Sequence, residues 1–145
     1  MGGHMTDKKS KPLCIYFLIV LMIFQGLSGL GGGIGLIIDP SGETLHIPLN
    51  WLQGSPFSDF LIPGIILLLV LGLFPLAVSY ALIRKLSWSW MASLVVGIAL
   101  IIWIVVEILI IGYQPKPPLQ LIYGLAGIFM VILVLLPGVR RYYTS

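Results

Sequence analysis

The chain has 145 residues, of which 59% are apolar and only 9% charged, against roughly 45–50% and about 25% in an ordinary soluble domain. With a mean hydropathy of +1.09, a water-soluble fold is excluded and little chain remains for a separate soluble domain. A net charge of +3 and one cysteine give no nucleic-acid-binding face, no intramolecular disulfide and no C-x-x-C redox pair.

The opening Met1-Gly2-Gly3-His4-Met5 reads as an expression tag remnant (1–5) ahead of a single membrane domain over 6–145. Lys8, Lys9 and Lys11 precede an apolar run that no charge interrupts from Leu13 to Ile38. Such a run is too long for a signal-peptide h-region of about 7–15 residues and is retained as a span. A hydrocarbon core about 30 Å thick needs roughly 20 apolar residues. Four runs meet that length, at about 13–36, 60–83, 87–113 and 118–139, the third interrupted only by Glu107. Backbone amides in lipid must be satisfied within the segment, so each run is helical.

Lys8, Lys9, Lys11, Arg84, Lys85, Arg140 and Arg141 fall on one side of these spans and Lys116 alone on the other. Cytoplasmic flanks collect Lys and Arg, so both termini are expected in the cytoplasm of a multi-pass cell-membrane protein. The expected fold is an all-α membrane protein: four transmembrane helices in an antiparallel bundle with an ordered extracytoplasmic loop between helices 1 and 2. In that loop Asp39-Pro40-Ser41-Gly42 fits a tight turn, Pro48 to Gly54 a short helix, and Ser58-Asp59 a cap for span 2. Asp39, His46, Trp51 and Asp59 would make it a lid over the outer end.

Small residues mark close helix contacts in lipid. Span 1 carries two Gly-xxx-Gly pairs, Gly29 with Gly33 and Gly31 with Gly35, which also suit contact with a second copy of the chain. Because each glycine lowers helix propensity by about 1 kcal/mol, unwinding of span 1 is expected there. Ser93, Gly97, Leu100, Ile104, Glu107 and Ile111 form one stripe of span 3. Gln120, Gly124, Gly127, Val131 and Val134 form a matching stripe of span 4, leaving Leu121, Leu125, Ile128 and Ile132 for lipid. Pro75 predicts a kink in span 2 that helps open a cavity.

Glu107 is the one ionisable side chain within a span, and such residues face protein or a cavity rather than lipid. Trp103 lies one turn inward and Gln25 enters span 1 at a depth that lipid disfavours. With Gln120 and Tyr123 they form the candidate ligand-binding set, an aromatic wall with a carboxyl and amides suited to an amphipathic guest. Tyr123 taken alone also fits the outer aromatic belt, with Tyr113 and Trp51. Glu43-xx-His46 lacks the further ligands of a metal site, and Ser55 or Ser58 with His46 and Asp59 lacks a nucleophile elbow. No metal, cofactor or nucleic acid is expected, and membrane lipids are the expected partners. The sequence therefore predicts a non-catalytic protein that binds a lipid or other amphipathic molecule at the outer end of the bundle. Its alternatives are a proton- or cation-linked small-solute transporter using Glu107, and a membrane enzyme acting on a lipid-like substrate.

Asp39-Pro40-Ser41-Gly42, Ser55-Pro56-Phe57-Ser58-Asp59-Phe60 with Ile62-Pro63-Gly64, and Ile102-Trp103-Ile104 through Glu107-Ile108 resemble an uncharacterised family of small four-span prokaryotic integral membrane proteins. The resemblance covers the chain after the tag and implies that the first loop and the Trp103/Glu107 pair act as one module. It carries no activity. The chain does not resemble the small multidrug-resistance exporters, whose essential carboxylate lies in span 1, where this sequence has Gln25.

Overall fold

The computed structural model describes residues 13–43, 58–112 and 119–144, and among these there is helix and turn but no strand. Helix α1 runs Leu13–Ile38, α2 Leu61–Leu68, α3 Phe74–Ile83, α4 Ser89–Ile111, α5 Leu119–Leu135 and α6 Pro137–Thr144. A π-helical turn, Leu69–Leu73, joins α2 to α3 without a break, giving one continuous helix over Leu61–Ile83. Three helices are long and apolar enough to cross a membrane, and a fourth follows if α5 and α6 are taken as one bent span. Apolar side chains cover the outside as well as the core: Leu109 is 79% exposed and Ile38 76%. Only acyl chains can cover such a surface at low cost, which makes this a multi-pass membrane protein.

Glycine backbones bring α1 against Leu61–Ile83. A Cβ added to Gly29 would lie 2.0 Å from Leu71 O, and one added to Gly33 would lie 2.7 Å from Leu68 N. On the other side of the contact, a Cβ on Gly64 would lie 2.7 Å from Leu36 Cβ. Only hydrogen fits at these three positions, so the two backbones touch directly. This contact corrects the expectation that α1 unwinds at its glycines, because packing gained along Gly29 and Gly33 outweighs their low propensity and the helix continues to Ile38. Gly31 points elsewhere, with nothing within 4 Å of its would-be Cβ.

The second helix contact joins α4 and α5 along the two expected stripes. Gly97 meets Val131, Gly127 meets Ile101, and Gly124 meets Ile104. Ser93, Gly97, Leu100 and Ile104 are buried, as are Gln120, Gly127 and Val134, whereas Leu121, Leu125, Ile128 and Ile132 are exposed. Tertiary packing thus follows the one-sided placement of small residues.

Proline shapes both remaining irregularities. Pro75 has no N–H for Leu71 O, four residues earlier, and the helix answers with the π-helical turn just before it. There Gln25 from α1 donates its amide Nε2 to Leu71 O at 3.0 Å. Pro137 likewise ends α5 at Leu135, short of the expected boundary near 139, and α6 leaves at 64°. Trp90 Nε1 donates to Val134 O across that break at 2.8 Å. Tyr143, on α6, donates its hydroxyl to Leu82 O at the end of α3, also at 2.8 Å. Carbonyls near the proline breaks and at the end of α3 therefore accept side-chain donors from distant segments, as an apolar solvent demands.

Candidate functional site

Glu107 lies on α4 just over one turn before the helix ends at Gly112, whose φ of 76° is a left-handed conformation that glycine adopts without strain. Trp103 precedes Glu107 by four residues, so both project from one face of the helix. The Trp103 and Gln120 side chains lie within hydrogen-bonding reach of the Glu107 carboxyl. Gln120 also ties the two helix ends together, donating Nε2 to Gly112 O at 3.2 Å. Indole nitrogen is a donor only, and an amide nitrogen carries two protons, so both neighbours present donors to the acid. Gln120 is buried, whereas Glu107 and Trp103 are half-buried.

Beside Gln120, an open apolar groove of about 200 Å³ lies between α4 and α5, lined by Ile104, Ile108, Gln120, Leu121, Gly124, Leu125 and Ile128. Gly124 forms its floor, because a larger residue there would project into the groove. Of the lining residues the sequence pointed to Gln120 as a site residue. The others read there as ordinary lipid-facing or packing positions, and only the Gln120-xxx-Gly124 step hinted at a recess.

The remaining candidates separate. Tyr123 lies almost one turn further into α5 and stacks on Phe24 of α1, with ring centroids 5.5 Å apart and planes 15° from parallel. It serves there as a contact between the first and last long helices. Gln25, 2% exposed, belongs to the α1 contact with Leu71, and its Oε1 has no hydrogen-bond partner among the described residues. Its one hydrogen bond among the described residues is to Leu71 O and not to Trp103 or Glu107.

Of the lid residues, His46 and Trp51 lie outside the described residues. Asp39 opens the expected turn, with Gly42 N donating to Asp39 O at 3.0 Å and the Ser41 hydroxyl donating to Asp39 Oδ1. Asp59 accepts from Leu61 N at 3.1 Å, satisfying a free amide at the start of α2. The two edges of the loop meet where Phe60 N donates to Pro40 O at 2.8 Å. Both aspartates thus have local turn roles. No group of three or more His, Cys, Asp or Glu able to hold a metal ion occurs among the described residues.

Compared with protein-family models, with curated proteins and with solved structures, the chain matches none of them.

Proposed function

We propose that this protein is a membrane-embedded binding protein that holds a lipid or other amphipathic molecule at the Glu107 end of an antiparallel four-span bundle. The observation that carries the reading is the open apolar groove between α4 and α5, whose one polar lining residue, Gln120, also lies within hydrogen-bonding reach of Glu107. At about 200 Å³ it is smaller than the roughly 300–1,000 Å³ of a pocket that encloses a whole drug-sized ligand. It therefore suits one segment of acyl chain, with the polar head of the guest near Glu107, Trp103 and Gln120.

Binding is favoured over transport by the layers below the site. Leu100, Val96 and Met130, each at most 1% exposed, form an apolar layer of the α4 and α5 interior between Glu107 and the buried Ser93. A proton or cation path would need water or polar groups at that depth. The descending order of partners along α4 and α5, Gly97 with Val131 and Ile104 with Gly124, supports the antiparallel arrangement. The placement of Arg84, Lys85, Arg140 and Arg141 at the far end supports cytoplasmic termini. Membership of the small four-span prokaryotic family remains part of the same proposal, resting on the loop 1 and Trp103/Glu107 segments.

Native mass spectrometry of the full chain, extracted from its expression membrane, tests the reading. The wild type is expected to retain a lipid-sized mass that Glu107→Gln loses or retains much more weakly. Equal retention by both proteins, or none by the wild type, overturns it.

A further inference from the structure

Four cations gather at the end of the molecule remote from Glu107. Arg84 and Lys85 follow α3, and Arg140 and Arg141 lie on α6. Three of them rest on aromatic rings: Lys85 Nζ lies 4.3 Å from the Tyr142 centroid, Arg140 Cζ 5.5 Å from Trp90, and Arg84 Cζ 5.7 Å from Tyr80. The described carboxylates, Asp39, Glu43, Asp59 and Glu107, all sit near the opposite ends of their helices. A ring orients a cation without cancelling its charge, so this end presents positioned positive groups with no carboxylate side chain beside them among the described residues.

The backbone reinforces that placement. Leu86 N donates to Ala81 O and Lys85 N to Leu82 O, the paired bonds of a Schellman helix stop. Its left-handed position is filled by Lys85 at φ 54°, where glycine is the unstrained residue. Helix α6 is pinned by the Tyr143 hydroxyl on Leu82 O and by burial of Val139 and Tyr143, so Arg140 and Arg141 face outward. Exposed Ile83, Leu86 and Leu135 flank the cations with apolar surface.

We propose that the Arg84/Lys85 turn and α6 form a headgroup surface for anionic phospholipid, in which Lys85 and Arg140, on opposite sides of α6, each contact a phosphodiester and the flanking apolar residues contact the acyl chains. Arginine offers a forked pair of N–H donors to phosphate oxygens and lysine a compact charge. The aromatic rings and the short helix lying across the span direction belong at headgroup depth. A free phosphate would use the cations but not the apolar flank. The site is separate from the Glu107 groove, so either can fail without the other.

The test measures binding of phosphatidylglycerol, phosphatidylcholine and inorganic phosphate to the purified full chain in neutral detergent, by native mass spectrometry and thermal unfolding. In a Glu107→Gln background, which removes lipid held at the groove, phosphatidylglycerol is expected to bind and to raise the unfolding temperature, while the other two do neither. Combining Lys85→Gly with Arg140→Gln is expected to weaken phosphatidylglycerol binding about 30-fold, at about fivefold per cation near the surface. Lys85→Gly supplies the residue that φ 54° favours, so that single variant folds and still reads out one cation. Raising salt from about 0.1 to 1 M, which cuts the screening length from about 10 to 3 Å, is expected to release the lipid from the Glu107→Gln protein. Equal binding of phosphatidylcholine, an equal effect of inorganic phosphate, undiminished binding by the folded variants or salt-insensitive binding would each overturn the proposal.

Discussion

The Gln25 side chain donates to the main-chain oxygen of Leu71, 46 residues away, at 3.0 Å. That oxygen is the one Pro75 leaves without its helical donor, so a polar residue in the middle of one span completes the backbone of the next. An amide that reads as a ligand contact from its depth alone is here an internal repair.

Replacing Gln25 by Leu is therefore expected to cost about 1 kcal/mol, between the average of roughly 0.6 and the maximum of roughly 1.7 kcal/mol for side-chain hydrogen bonds between spans. In a Pro75→Ala background residue 75 gains an N–H, and the same replacement should cost less than about 0.5 kcal/mol. Reversible unfolding of the four proteins in mixed micelles gives the coupling directly. Additive effects would show that the bond does not compensate for the proline.

Gly29→Ala places a methyl where Leu71 O stands 2.0 Å away, and a main-chain oxygen cannot rotate aside. The helices must separate, at an expected cost of about 2–3 kcal/mol by analogy with overpacked cores. Gly31→Ala meets nothing within 4 Å and is expected to be neutral or to stabilise by up to about 1 kcal/mol through helix propensity. Thermal unfolding of the two variants in one detergent distinguishes these neighbouring positions.

Trp90→Phe keeps an aromatic ring near Arg140 but removes the donor to Val134 O. The expected loss is about 1 kcal/mol, concentrated at the Pro137 break. Faster trypsin cleavage at Arg140 and Arg141, with α1 and α4 still protected, is the measurable sign.

Gly124→Ala narrows the groove. Its Cβ would meet Ile104 Cγ2 at 3.5 Å, an ordinary contact, so the fold should persist while guest binding falls about tenfold, or about 1.4 kcal/mol. Glu107→Gln keeps an acceptor for Trp103 and Gln120 and should change stability by less than about 1 kcal/mol. Unfolding and native mass spectrometry on the same samples separate binding loss from misfolding.

Long uncharged runs made the spanning helices legible in the sequence, since length and composition alone decide whether a segment suits lipid. The α4 stripe from Ser93 to Glu107 and the α5 stripe from Gln120 to Val134 were legible because 3.6-residue spacing puts small and polar residues on one face. Spacing does not say which neighbour a face meets. Gly29 and Gly31 look equivalent in the sequence, yet only one touches another backbone. Gln25 could not be paired with Leu71 from composition, because its partner is a carbonyl present in every residue. The groove was hidden for a related reason: Leu121, Leu125 and Ile128 have the chemistry of any lipid-facing position, and only their placement beside Ile104 and Ile108 of α4 makes them walls.

The side-chain donors that complete carbonyls in distant segments also divide the molecule. Gln25 with Leu71 closes the first hairpin internally, Trp90 with Val134 closes the second, and Tyr143 with Leu82 is the clasp between them. During synthesis the first hairpin can complete Leu71 O before the second has left the ribosome, while the Tyr143 bond to Leu82 O waits for α6. Cutting the chain at the link after Ile83 would thus yield two fragments, each carrying both halves of its own bond, that reassemble through the clasp.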